Sequence, residues 1–299
     1  MKILVIGSKG FIGSHCVDFF SQENEVWGCD VLIDYNTPNY LFIESIDSDF
    51  QDIFLKHKFD VCINCSGAAS VPFSIENPYH DFQLNTLNVY KILESIRKFC
   101  PECKYISMSS AAVYGNPTQL PIKESFTLAP VSPYGIHKVM AEQICKEFSN
   151  FWNIKTCCIR IFSAYGPRLR KQLLWDISQK AIKQDTILLY GTGNETRDFI
   201  YVSDVISIIH LAISHSNFKG EVINAANGKQ ETITSIAQLM LNTLKINKEI
   251  RFNQEVRPGD PLNWEADITQ IRKWGYKQQF NIETGINYYV SWLKENGLA

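Results

Sequence analysis

Short apolar runs alternate along the chain with stretches whose apolar residues recur every three to four positions. The first run, residues 2–6 (KILVI), reads as a strand buried on both faces. Helical spacing follows over 11–21, then strands over 25–29, 41–44 and 60–64, the second strand ending at Asp30. An amphipathic helix is expected over 78–99, with Leu84, Leu87, Ile92, Leu93 and Ile96 on its apolar side. Strands over 104–108 and 155–161 flank a helix over 134–151. This alternation predicts an α/β fold, a parallel sheet wrapped by helices on both faces. The sequence contains no internal repeat and no low-complexity segment.

The texture changes after about residue 166. Loops around Gly191-Thr192-Gly193-Asn194 and Arg257-Pro258-Gly259-Asp260-Pro261 break up shorter elements, and a late helix over 282–294 closes the chain. Residues 198–202 still read as a strand of the sheet. The expected division is a first domain over 1–165, with 196–226 interleaved, and a smaller lobe over 166–299. A ligand cleft is then expected between lobe and sheet, at the carboxyl ends of the strands.

Composition narrows the choice of partners. The 299 residues are 45% hydrophobic and 20% charged, with 29 Lys+Arg against 31 Asp+Glu, which excludes disorder. A net charge of -2 argues against nucleic acid as partner, and no run reaches the ~20 apolar residues that span a bilayer. The apolar opening is too short for a signal peptide, so a cytoplasmic location is expected. Nine cysteines cannot all pair. Cys62 and Cys65, three apart on a strand, point to opposite faces, whereas Cys100-Pro101-Glu102-Cys103 has a loop's composition. Reduced structural thiols are the expectation, and no His/Cys spacing calls for a metal.

The chemistry starts at Gly7-Ser8-Lys9-Gly10-Phe11-Ile12-Gly13, between a strand and a helix. Gly7, Gly10 and Gly13 allow a tight turn, close approach of backbone to a pyrophosphate, and close helix packing; the helix start then faces the phosphates with free N–H groups. Asp30, 17 residues beyond Gly13, suits an adenosine ribose and repels a 2′-phosphate, so NAD is favoured over NADP. Tyr134 and Lys138 stand four apart at a helix start and share a face. A phenol ordinarily titrates near 10, too high for a base at neutral pH; a nearby ammonium and a cationic nicotinamide ring both favour phenolate. Ser110, leaving the strand after 104–108, can share a hydrogen bond with Tyr134 and a substrate hydroxyl. His137 lies on another face and reads as structural. Arg168, Arg170 and Lys171 form a basic cluster that is either a solvated face or a neighbour of a nucleotide diphosphate. Trp175 and Trp264 are readable as base-stacking or as packing residues.

These motifs, in this order, resemble the extended short-chain dehydrogenase/reductase family, in its nucleotide-sugar epimerase/dehydratase branch. Further support comes from residues 69–78, the segment 110–115, Tyr165-Gly166-Pro167-Arg168, residues 197–204 and Arg257-Pro258-Gly259-Asp260. The resemblance implies a Rossmann-type doubly wound sheet with a smaller C-terminal substrate-binding lobe. It implies that Phe11 and Ile12 lie against the diphosphate of NAD. Residues matching Cys65, Ser66, Gly67, Ala68, Ala69, Asn85, Ser110, Tyr134, Lys138 and Phe162 would line the cofactor. Substrate contacts would come from Ser110, Tyr134, Ser163, Arg168, Arg197 and Arg257, the arginines holding a nucleotide-sugar diphosphate. It also implies a homodimer formed through the helices over 78–99 and 134–151.

Three departures qualify this. Dehydratase relatives carry Asp-Glu directly after the catalytic Ser/Thr, where this chain has Ala111 and Ala112, which cannot transfer protons. Ser163 stands where many epimerases have asparagine, which leaves the sugar open. Ile46 and Asp47 compete for an acidic position after the third strand. The expected activity is an NAD-dependent nucleotide-sugar 4-epimerase acting through a 4-keto sugar. The alternatives are a net 4-dehydrogenase or 4-keto reductase on the same residues, and a non-catalytic NAD-binding sensor.

Overall fold

A computed structural model describes residues 1–44, 48–255, 257 and 259–299. Ile46, Asp47 and Pro258 lie outside the described residues. The chain opens with β1 (Lys2–Ile6), α1 (Phe11–Phe20), β2 (Glu25–Asp30) and β3 (Tyr40–Phe42). It continues through α2 (Gln51–Lys56), β4 (Val61–Asn64), α3 (Val71–Glu76) and α4 (Pro78–Phe82), and after a π-helical turn (Gln83–Leu87) through α5 (Asn88–Phe99). Next come β5 (Lys104–Ser110), a 3-10 turn (Ala111–Tyr114), α6 (Pro133–Trp152), β6 (Thr156–Ile161) and β7 (Ser163–Tyr165). The second half holds α7 (Gln172–Lys183), β8 (Thr186–Leu189), β9 (Thr196–Tyr201), α8 (Val202–His215) and β10 (Lys219–Ala225). It ends with β11 (Gln230–Thr232), α9 (Ile233–Leu244), β12 (Glu249–Phe252), α10 (Thr269–Lys273) and α11 (Ile282–Glu295).

Seven parallel strands form one sheet in the order β10-β6-β5-β4-β1-β2-β3. Alternation along β1 explains its burial: Ile3 and Val5 enter a core shared with α1 and α8, while Leu4 and Ile6 enter another shared with α5 and α6. A third core belongs to the C-terminal lobe, built around α7, α9 and α11. Cys62 in β4 and Cys65 just past its end face opposite sides of the sheet, as strand alternation requires. Cys62 lies in the second core, and Cys65 packs against the first, its Sγ 4.0 Å from that of Cys16.

Two details differ from the pattern read along the chain. Residues 196–201 form a strand, but it pairs with β7 and β11 in a separate three-stranded sheet; from the segment 196–226 it is β10 that joins the main sheet. The expected helix over 78–99 carries the π turn, and around it the buried side chains are Asp81, Asn85, Thr86 and Asn88, while Leu84 and Leu87 stay half-buried. Polar partners, described below, outweigh the apolar periodicity there.

The strand order reverses at β1 and β4, so the loops leaving these two strands diverge around a crevice at their carboxyl ends. Gly7 and Cys65 begin those loops, with the Cys65 N–H donating to the Ile6 carbonyl at 2.8 Å.

Candidate active site

The glycine turn is shaped by contact as well as by conformation. Gly7 has φ +77°, and a Cβ there would stand 2.7 Å from the Ser66 nitrogen. A Cβ on Gly13 would stand 2.0 Å from the Gly7 carbonyl oxygen, so only glycine lets α1 approach the turn this closely. Gly10 occupies the start of α1 with no side-chain cap, leaving the first N–H groups for an anion. The Phe11 and Ile12 side chains pack against the lobe core and the sheet core respectively. Asp30 closes β2 and accepts the Lys9 and Val31 N–H groups, each at 2.8 Å. The Lys9 ammonium meets Asp34, which ties the loop after β2 to the glycine turn.

Across the crevice runs the segment Cys65, Ser66, Gly67, Ala68, Ala69. Asn64 accepts from the Ser66 N–H at 3.1 Å, and Asn85 donates to the Ala68 carbonyl at 3.0 Å. A Cβ on Gly67 would lie 2.5 Å from Asn85 Oδ1, an acceptor that is buried and has no hydrogen-bond partner. An uncapped helix start, two glycine loops that exclude side chains, a carboxylate at the end of β2 and a buried free acceptor together fit NAD.

The candidate catalytic groups converge where the main sheet meets the lobe. Ser132 caps α6 by accepting the Gly135 N–H at 3.1 Å, which sets Tyr134 and Lys138 in the first turns. Lys138 Nζ donates to the Met108 carbonyl at 2.9 Å and lies 5.8 Å from the centre of the Tyr134 ring. Ser110 ends β5, its hydroxyl accepting the Ala112 N–H at 3.2 Å. Burial pushes the Tyr134 phenol up to about 12, with the Ser110 hydroxyl pulling it down and Asp81 pushing it further. Burial also draws the Lys138 ammonium down to about 8. Between these two side chains desolvation is the larger effect, so a phenolate here would also need the second group that favours it, a cationic nicotinamide ring.

A cavity of about 670 Å³ opens from Ser110, Tyr134, Phe162 and Ser163 toward the lobe. Ala69, Ala112 and Trp264 line it too, along with Arg170, Lys171, Arg197 and Arg257. Trp264 is fixed by its Nε1–H donating to the Gly115 carbonyl at 3.0 Å and packs edge-on against Phe162, 5.8 Å between rings. Arg197 stands over the Trp264 ring at 5.8 Å. Its guanidinium is drawn down to about 10 by burial, against Asp260 and Glu195, and remains charged at neutral pH. Arg257 lies over Tyr190 at 4.4 Å. Arg168, in contrast, pairs with Asp18 of α1 at 2.7 Å and is not among the residues lining the cavity; Arg170 and Lys171 of the same cluster are.

Beneath Ser110, a network that the sequence alone did not suggest holds the site. Glu142 accepts from Arg160 at 2.7 and 2.9 Å and from the Ser109 hydroxyl at 2.6 Å, all buried. The spacing of Glu142, four residues beyond Lys138 on one helix, was the available signal. Asp81 was missed as well, although it stands four residues before Asn85.

A parallel sheet with its glycine turn at the reversal of strand order, a Ser-Tyr-Lys constellation and an arginine-lined cavity define an NAD-dependent enzyme acting on an anionic ligand. The chain belongs to the NAD dependent epimerase/dehydratase family, whose sequence model matches residues 3–226. It is 26% identical over 326 residues to the UDP-glucose 4-epimerase of Halalkalibacterium halodurans, covering 99% of this chain and 96% of that relative. Its structure resembles that of the UDP-N-acetylglucosamine 4-epimerase from Methanobrevibacter ruminantium in complex with UDP-N-acetylmuramic acid, with a TM-score of 0.88 and 28% identity over 99% of this chain and 98% of that one. It also resembles the Thermotoga maritima UDP-glucose 4-epimerase with UDP-glucose, with a TM-score of 0.89 and 26% identity over 99% of both chains. The chain is thus an NAD-dependent enzyme of nucleotide-sugar chemistry.

Proposed function

We propose that this enzyme is a nucleotide-sugar 4-epimerase working through a transient 4-keto sugar. The observation that carries the reading is the chemistry of the inner cavity. Tyr134 and Ser110 on its wall, with the buried Lys138 one turn along the same helix as Tyr134, are the proton-handling groups, and the positions after Ser110 are Ala111, fully buried, and Ala112, on the cavity wall. Neither alanine can expel a hydroxyl, so a dehydratase's elimination has no acid or base beside Ser110. When bound, NAD supplies a hydride acceptor and, once reduced, a hydride donor. Tyr134 takes the proton of the sugar's 4-hydroxyl and returns it to the same 4-oxygen, the inversion arising because the turned keto sugar offers the other face of C4 to the returning hydride. Ser110 orients that hydroxyl, Lys138 holds the nicotinamide ribose, and Arg197 and Arg257 hold the diphosphate while the sugar turns. Atoms and electrons balance with no net consumption of cofactor.

The relatives' names make UDP-sugars the first class to test. Purified enzyme with a panel of UDP- and GDP-sugars should interconvert one pair of 4-epimers without added cofactor, and Tyr134→Phe should lower that turnover by a factor of about 100 to 10,000. Conversion that stops unless stoichiometric NAD(H) is supplied would assign a 4-dehydrogenase or 4-keto reductase instead. An unchanged rate in Tyr134→Phe would remove the tyrosine from the chemistry.

We further propose a homodimer formed through α5 and α6, where Tyr90, Ile136, Met140, Phe151 and Trp152 are exposed apolar side chains. A monomeric mass in solution would refute it. We place the enzyme in the cytoplasm: its nine cysteines are all free thiols, which suits a reducing compartment. No helix among the described residues is long and apolar enough to cross a membrane.

A further inference from the structure

Asp81 is fully buried in α4, outside the cavity, and serves as a junction between three segments. Its Oδ2 meets His137 Nδ1 of the catalytic helix at 2.6 Å, and its Oδ1 accepts from Asn85 Nδ2 at 3.0 Å. The same Asn85 amide donates to the Ala68 carbonyl of the cofactor loop at 3.0 Å. One residue on, the Thr86 hydroxyl donates to the His137 carbonyl at 3.0 Å. An ionised carboxylate can only accept, so the imidazole donates from Nδ1. A single buried carboxylate therefore ties the helix that carries Tyr134 and Lys138 to the loop 65–69. Thr86 ties the π turn itself to the catalytic helix, and the π turn carries both Asn85 and Thr86.

The same carboxylate is the charge that these two side chains feel. Facing Lys138 are Asp81, Cys158 of β6, and Glu142 and Cys145 of its own helix. Glu142 is matched by Arg160, and the interaction with Cys145 together with burial pushes the Cys158 thiol up, so it stays neutral. Facing Tyr134 are Asp81 and the Ser110 hydroxyl. Asp81 favours the ammonium on Lys138 and disfavours phenolate on Tyr134.

We propose that Asp81, oriented by His137, is a positioning residue of this enzyme: it registers the catalytic helix against the cofactor loop and supplies the counter-charge facing Tyr134 and Lys138. This rests on the assignment of Tyr134 as the base. Two readouts separate it from simple structural support. In the holoenzyme labelled with 13Cζ-tyrosine, the Tyr134 signal, assigned by its loss in Tyr134→Phe, should titrate lower in Asp81→Asn than in wild type by about half a pH unit or more. With whichever of UDP-glucose, UDP-N-acetylglucosamine or UDP-glucuronate the wild type converts, Asp81→Asn should lower kcat about tenfold or more with little change in KM, and should move the kcat profile to lower pH.

His137→Asn, which keeps a donor near the Nδ1 position, should restore much of the turnover that His137→Ala loses. An unmoved Tyr134 titration in Asp81→Asn would overturn the proposal. So would kcat, KM and thermal midpoint falling together over an unshifted profile. If Asp81→Asn does not fold, the His137 variants decide, and wild-type kcat in His137→Ala would overturn it. An active Tyr134→Phe would instead sink the functional reading, whereas an inactive Tyr134→Phe beside a wild-type Asp81→Asn would sink this proposal alone.

Discussion

Lys138 and Tyr134 share one face of α6, yet the Lys138 ammonium is bonded to the Met108 carbonyl and sits 5.8 Å from the centre of the Tyr134 ring. Desolvation then governs both groups, raising the phenol and lowering the ammonium.

That lowering has a signature in stability. Lys138 titrates near 8 when folded, against an ordinary 10.5. Below pH 8 both states carry the proton and the native state bears the full penalty of burying it. As pH rises from 8 toward 10.5 the native state sheds the proton first, so the penalty fades. Lys138→Met lacks the penalty throughout. Denaturant unfolding should show its advantage over wild type shrinking by about 3 kcal/mol between pH 7 and pH 10. A difference that stays constant with pH would show that Lys138 titrates normally.

Gly13→Ala places a methyl 2.0 Å from the Gly7 carbonyl oxygen, and backbone cannot give way as a flexible side chain does. The expected result is a loss of about 1–3 kcal/mol or more, with reduced NAD content in the purified protein. Calorimetry and cofactor extraction measure the two effects separately.

Glu142→Gln removes the charge opposite a guanidinium that is nearly inaccessible to water. Stability should fall by about 3–5 kcal/mol. Glu94→Gln, which breaks the partly exposed pair with Arg97 at 2.7 Å, should change it by only about 0–1 kcal/mol. Equal losses in denaturant titrations of the two variants would contradict the burial contrast.

Arg197 lines the cavity and Arg168 is held by Asp18. Loss of a charge-assisted phosphate contact costs about 1.5–3 kcal/mol, so Arg197→Met should raise KM for a converted nucleotide sugar by about 10- to 150-fold. Arg168→Ala should alter KM by less than about threefold, as expected for an exposed ion pair that does not line the cavity. A large KM effect in Arg168→Ala would return that residue to the substrate site.

How much of this was legible follows from the range of each interaction. The glycine turn, Asp30, Ser110, Tyr134 and Lys138 stand out because their chemistry is written in spacings of a few residues on one strand end or one helix turn. The π turn was not legible, since its residues carry the apolar period of an ordinary helix. Asp81 and His137 are 56 residues apart, and Glu142 and Ser109 are 33 apart; nothing local marks either as a pair. Arg168, Arg170 and Lys171 are equivalent as a basic cluster, and only docking of that loop onto α1 divides them.

The sequence by itself determined the sheet, the glycine turn, the candidate proton-handling groups and the absence of a dehydratase's carboxylates, because each depends on residue type at short range. Tertiary structure decided how burial shifts Tyr134 and Lys138, which arginines line the cavity and which buried carboxylates join its supporting segments, because desolvation and pairing depend on what distant segments bring into contact.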